Sequence, residues 1–183
     1  MVMIKLPSDY QIEQYGIKFR LVKEEDSDFI LSLRTDKKMA LFVHETDNDL
    51  GRQREWIRRY KLREMAGTEY YFVVSFNDAL CGTIRITDID FDNKVCGSGS
   101  LFCAPTVPEN IAPLITIIQR NIEFEVLGME TEYFDVRVLN KKVNRFHRLF
   151  GAELIRSTEI DNFYVMRKEI FMQTRDVMLK FLI

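Results

Sequence analysis

The residue types in this chain that can carry chemistry are few. Two are histidines, His44 and His147; an imidazole, with an ordinary pKa of about 6.5, can serve as an acid or as a hydrogen-bond donor at neutral pH. Cys103 stands at the end of an expected strand, where a thiol is either a nucleophile or a packing group. The run Asp88-Ile-Asp-Phe-Asp92 is a hairpin tip that is either solvated or able to take a cation. No His–Cys cluster and no metal-ligand spacing accompanies it, so no metal is expected. The most suggestive stretch is 95–127. It reads as a strand (95–102), a Pro-containing turn (104–110) and a helix (111–127) on which Ile111, Leu114, Ile115, Ile118, Ile122 and Val126 share one face. A strand running straight into a helix N-terminus points free backbone N–H groups into one cleft, a natural seat for a phosphate-bearing cofactor.

These groups need elements to hold them. Residues 1–16 read as a poorly specified leader ending at Gly16, and 17–22 alternate in strand period. A helix over 24–34 follows, then a polar loop, 42–48, that contains His44 and Glu45. Asp47 or Asp49 can cap the next helix, which runs past Trp56, Ile57 and Tyr60 and is stopped by Gly67. Strands over 69–76 and 80–89 flank an Asn77-Asp78 turn. After the central helix come a strand (132–138), a helix (140–150) ended by Gly151, strands over 152–155 and 163–168, and a terminal helix over 169–183. The apolar residues of that last helix can pack on their own domain or on a second copy, so a homodimer is one expectation. No linker or repeat interrupts the chain, and one mixed α/β domain over 1–183 is expected.

Composition narrows the partners. Apolar residues make up 46% of the 183, with 14 Phe and 7 Tyr, enough for a real core. A formal charge of −2 argues against a nucleic acid held mainly through phosphate contacts. Cys81, Cys96 and Cys103 form an odd set without C-x-x-C spacing, which suits a reducing cytoplasm. The first residues lack the apolar run of a signal peptide, and no stretch approaches the roughly 20 apolar residues of a membrane span. A cytoplasmic protein without a membrane partner is the expectation.

The order strand, helix, helix, three antiparallel strands, helix, strand, helix, strand, strand resembles the GCN5-related N-acetyltransferase (GNAT) fold. The run Asn140-Lys-Lys-Val-Asn-Arg-Phe-His-Arg-Leu-Phe-Gly-Ala152 is similar to that family's C-terminal signature. Trp56 and the Gly82-Thr-Ile-Arg run also resemble members acting on protein N-termini or amino sugars. The resemblance covers roughly residues 17–168. It implies a mixed, mostly antiparallel central sheet flanked by helices, with acetyl-CoA or another acyl-CoA as co-substrate and a primary amine as acceptor. By the same resemblance, backbone amides around Leu101, Phe102 and Cys103 would meet the thioester oxygen, and Asn140 would touch the pantetheine arm; Asn144, four residues on along the same helical face, could also reach the cofactor. Asn140 is also a candidate helix N-cap. His147 takes the position of the tyrosine that protonates the departing thiolate, or is a packed helix residue.

Two features depart from the family pattern. Relatives carry Gln/Arg-x-x-Gly-x-Gly/Ala at the pyrophosphate turn; Val107-Pro-Glu-Asn-Ile-Ala112 stands here, so Asn110, Ile111 and Ala112 are the corresponding candidates and only Ala112 agrees. Pro108 and Pro113 lack an N–H, and Glu109 adds a like charge. Relatives often place a Glu on the fourth strand as base, where this chain has Ser98 or Ser100. His44 and Glu45 are then the alternative bases, on a loop that lines the acceptor side in relatives. An acyl-CoA-dependent N-acyltransferase follows, with acetyl as the expected group. Its acceptor would be the amine of a nucleotide-linked amino sugar or, next, of a protein N-terminus. The alternative is a GNAT-fold binding or assembly module without catalysis.

Overall fold

The computed structural model describes residues 4–36 and 48–183. Among these residues lie the strands β1 (Gln11–Gln14), β2 (Ile17–Leu21), β3 (Tyr70–Phe76), β4 (Ala79–Asp90), β5 (Val95–Cys103), β6 (Thr131–Arg137), β7 (Glu153–Ser157) and β8 (Asp161–Arg167). They form one sheet in the order β1-β2-β3-β4-β5-β6-β8-β7. Neighbours are antiparallel except β5 and β6, which run parallel. The helices are α1 (Ser27–Thr35), α2 (Leu50–Ala66), α3 (Ile111–Asn121), α4 (Lys141–Leu149) and α5 (Lys168–Leu182). This is the mixed, mostly antiparallel sheet that the element order implied.

The sheet carries helices on both faces because β3 is apolar at successive positions. Tyr70, Phe72 and Val74 join the larger core with Ile115, Ile118 and Phe171. Tyr71 and Val73 join Ile30, Ile57 and Tyr60 beneath α1 and α2 on the other side. A strand covered on both faces reads as a continuous apolar run rather than as strict alternation. Each fully buried aliphatic or aromatic side chain contributes about 1.5–3 kcal/mol. α2 begins at Asp49, whose side chain accepts from Arg52 N, and ends at Gly67 with φ 77°.

Two parts differ from the sequence reading, and a third, α5, takes one of the two packings open to it. The leader contributes β1, paired with β2 through a turn at Tyr15 and Gly16 with φ 56° and 72°. Four residues, Gln-Ile-Glu-Gln, are too short and too polar to announce a strand. The central helix is α-helical only to Asn121 and continues as a π-helical turn, Ile122–Val126, where Ile122, Glu123 and Phe124 are all buried. In α5, Phe171 and Met178 pack into the chain's own core, while Val177 and Phe181 stay exposed.

The feature that matters for function lies between β4, β5 and β6. β5 pairs with β6 only over Val95–Thr131, Cys96–Glu132 and Gly97–Tyr133, after which the two strands part. On its other edge β5 pairs with β4, but the register slips between Thr83–Phe102 and Arg85–Gly99. This bulge gives β5 one extra residue and places Ser100 at φ 53°. It turns the end of β5 away from β6.

Gly82 makes the close approach at this bulge possible, since a Cβ there would sit 2.4 Å from the Phe102 carbonyl oxygen. Gly99, two residues before Leu101, has nothing within 4 Å of its Cβ position. Gly82→Ala is therefore expected to destabilise the fold by about 1–3 kcal/mol through overpacking, whereas Gly99→Ala leaves stability near that of the wild type. Urea denaturation of the two variants checks this; equal midpoints would show that β5 moves aside freely.

Candidate active site

Where β5 and β6 part, a cleft of about 520 Å³ opens through the sheet. Strand pairing assigns its walls to the two faces. Glu132 lies opposite Cys96, on the α3 side with the rest of the larger core. Arg85 lies opposite Tyr71 and Gly99, on the α2 side. The cleft is lined by Ser98, Gln119, Glu132 and His147 toward α3 and α4, and by Arg34, Arg85 and Phe102 toward α1 and α2. Asp135 and Arg137 line it too. The backbone edges of β5 beyond Gly97 and of β6 beyond Tyr133 face each other across this gap without a partner strand among the described residues.

A buried polar cluster forms the α3-side wall. Arg120 is fully buried; its Nε donates to Glu132 Oε2 at 2.7 Å, and its Nη2 lies 3.3 Å from His147 Nδ1. Glu132 Oε1 accepts from Ser98 Oγ and from Gln119 Nε2 at 3.0 Å. Gln119 Nε2 also donates to Glu123 Oε1. Among the described residues, Arg120 Nη1 and Glu123 Oε2 are buried without a hydrogen-bond partner. Burial, and then the neighbouring Glu132, push the Glu123 carboxyl well above its usual range, which favours its neutral form, while Glu132 is the ion-pair partner of Arg120. Burial and then Arg120 hold His147 well below its ordinary value.

The expected site residues divide into those that the fold gathers and those that it does not. Ser98, Leu101, Phe102, Asn140 and His147 line the cleft. Asn140 also caps α4, accepting from Val143 N at 3.4 Å. Asn144 is turned away. Its amide donates to the Arg137 and Asn140 carbonyls at 2.8 Å, and its oxygen accepts from Asn162 and Tyr164, which leaves nothing for a pantetheine arm. Cys103 is zipped opposite Gly82, and burial pushes its thiol up to about 12, so it is no thiolate nucleophile at neutral pH. His44 and Glu45 lie outside the described residues.

The turn before α3 stands apart from the cleft. The Asn110 side chain donates to the Leu182 carbonyl at 2.7 Å, and Ile111 is buried with its N–H on the Pro108 carbonyl at 3.0 Å. Pro113 has no N–H, which leaves Ala112 as the amide donor of that first turn. Glu109 is engaged by Lys142 at 2.7 Å across to α4, so its charge is neutralised locally.

Sequence reasoning missed Glu132 and Arg120. Strand period placed Glu132 on the same face as Phe134 and Val136, and Gln119, Arg120 and Glu123 interrupt a helix apolar on nearly every side. Polar residues in such positions are buried, and buried charges come in pairs.

The neutral Glu123 has a consequence for stability. Its folded-state pKa lies above the unfolded value of about 4.3, so its contribution is present below about pH 4.3 and is lost as pH rises, at up to about 1.4 kcal/mol per pH unit. Glu123→Gln keeps the shape and removes the titration. The variant is expected to gain on the wild type as pH rises above about 4.3 toward the folded-state pKa of Glu123; parallel stability curves would mean that Glu123 is ionised in the fold.

No family model and no curated protein sequence matches the chain. Solved structures do. Apo FdhC, a nucleotide-linked sugar GNAT, is 30% identical, covers 95% of this chain and 99% of its own, and superposes with a TM-score of 0.85. A spermidine N-acetyltransferase from Vibrio cholerae, solved with CoA and spermine, is 16% identical over 87% of this chain and 99% of its own, with a TM-score of 0.74, a likeness of fold alone. With that identity to a GNAT over nearly its whole length, and with β5 and β6 splayed over a through-sheet cleft, the chain belongs to the GCN5-related N-acetyltransferase family.

Proposed function

We propose that this chain transfers an acetyl group from acetyl-CoA to the primary amine of a nucleotide-linked amino sugar. The observation that carries the reading is the cleft through the sheet. A pantetheine arm is an extended chain with amide groups, and the parted edges of β5 and β6 offer it the backbone donors and acceptors that an added strand would use. A binding module without catalysis has no need of such an opening between strands. Ala112 N–H would be the helix-end contact for the CoA phosphates, fewer amides than a Gly-rich turn presents.

The acceptor side supports a sugar. A second hollow of about 300 Å³ shares Thr87, Ser98, Phe134 and Asp135 with the cleft and extends over Asp88, Tyr133 and Phe163. Carboxylates accept from sugar hydroxyls, and aromatic rings pack against a pyranose face. Arg34, Arg85 and Arg137 border the cleft, and guanidinium groups suit a bridging diphosphate. Arg85 is set in place by Glu69 at 2.6 Å and by stacking over Trp56 at 5.0 Å. The 30% identical neighbour is itself a nucleotide-linked sugar GNAT, which agrees.

In this reading the uncharged amine attacks the thioester carbon from the acceptor side. The carbonyl oxygen is met by the backbone amide of Leu101 where β5 turns away. His147 lies at the sulfur, and Ser98, bound to Glu132, faces the attacking nitrogen. Proximity of the two substrates supplies much of the acceleration.

Acetyl-CoA should give measurable heat on titration calorimetry, and no heat at millimolar cofactor would overturn the enzyme reading. His147→Phe should then cut turnover about 10- to 100-fold, the worth of a hydrogen bond to a charged group, with acetyl-CoA affinity nearly unchanged. An equal loss in both would assign His147 to packing. Asp135→Asn should raise the KM for a nucleotide-linked amino sugar about tenfold while sparing acetyl-CoA binding; no change would place the sugar elsewhere.

A further inference from the structure

His147 is oriented by a cation rather than by a carboxylate. Its Nδ1 lies 3.3 Å from Arg120 Nη2. A guanidinium has only donors, so this contact is a hydrogen bond only when Nδ1 carries no proton. The ring's single proton is then on Nε2. Arg120 has little freedom to do otherwise: its Nε is held by Glu132 at 2.7 Å, its guanidinium lies 5.3 Å from the Phe134 ring, and the side chain is fully buried.

Among the described residues, the groups facing His147 leave it no anionic partner of its own. Arg120 meets it from α3, the Phe134 ring from β6 at 4.4 Å, Tyr164 from β8 at 6.3 Å and Phe146 from its own helix at 5.2 Å. Glu132 is joined to this cluster through Arg120, and Glu123 only one step further, through Gln119.

We infer that Arg120 is a positioning residue that holds His147 as the neutral Nε2–H tautomer, so that His147 gives the departing sulfur a hydrogen bond and never a proton. Where a carboxylate orients a catalytic imidazole, it raises its basicity and stabilises the imidazolium. Arg120 does the reverse, and burial acts in the same direction. The inference rests on the acyl-transfer reading only for the identity of the sulfur.

Proton accounting follows. The amine must arrive uncharged. Its lone pair forms the C–N bond as the carbonyl electrons move onto oxygen; their return breaks the C–S bond. The surplus proton on nitrogen passes to the thiolate, which yields the amide and the CoA thiol. His147 ends as it began, since a neutral imidazole could lose its Nε2 proton only by becoming an imidazolate.

The chain has two histidines, so both rings can be assigned in long-range 15N spectra of the full-length protein, with His147→Phe as the key. The expected result is a bare Nδ1 and a protonated Nε2 at residue 147, unchanged from about pH 8 down to about pH 5.5. An Nδ1–H tautomer, or a titration midpoint near the ordinary value of about 6.5, overturns the inference. Arg120→Lys keeps a positive partner for Glu132 but withdraws the planar fork; His147 should then show mixed tautomers or begin to titrate. An unchanged pattern in the folded variant removes Arg120 from the positioning role. Should that variant not fold, coupling across the hydrogen bond between Arg120 Nη2 and His147 Nδ1 in the unaltered protein decides the same point, its absence counting against the inference. None of these spectra depends on the acceptor or on acetyl-CoA binding, so failure of the proposed function leaves them readable.

Discussion

The buried ion pair between Arg120 and Glu132 is the constraint around which the site is arranged. It ties α3 to β6 at Glu132, the middle residue of the short stretch that β6 shares with β5. Two charges taken out of water cost several kcal/mol each, and their attraction offsets this only with good geometry and further hydrogen bonds. Those bonds are supplied by Ser98, Gln119 and His147. The cluster therefore links the strand that leaves, the strand that stays and the two helices above the gap. A hydrophobic replacement could pack as well, but it would not orient Ser98 and His147 toward the cleft.

An open sheet is an expensive arrangement. Paired strands satisfy their backbone groups; parted ones expose them to water or to a ligand. Here the parting is enforced locally. The bulge holds Ser100 at positive φ, Gly82 lets the Phe102 carbonyl come close, and the α3–β6 anchor keeps β6 from following. Backbone conformations of this sort persist only where their surroundings over-determine them. These devices lie on β4, β5, and the α3–β6 pair, so the parting does not rest on any one element.

The cleft and the turn before α3 have drifted apart in character. The cleft has its strand edges and donors in place. In the turn, the Asn110 side chain is engaged by the Leu182 carbonyl of α5 and the Ile111 N–H by the Pro108 carbonyl, with proline at Pro113. On the proposed function, most of the grip on acyl-CoA would fall to the pantetheine arm, and less to the phosphates.

Much of the architecture was legible in the chain itself. Period-two and helical apolar patterns, the Asp49 cap, the Gly67 and Gly151 stops and the Asn77-Asp78 turn are local signals, read from neighbours a few residues away. The 140–152 run likewise located His147 and Asn140 on the wall of the cleft. What tertiary structure decided is every property that depends on distance in space across distance in sequence. Ser98 meets Glu132, Arg120 meets His147 and Asn144 meets Tyr164 over separations of 34, 27 and 20 residues. Whether an asparagine reaches a ligand or a strand, whether a carboxyl is charged, and which nitrogen of an imidazole keeps its proton are set by those contacts. Composition and spacing specify which groups exist; only packing specifies the dielectric and the partners that determine what they do.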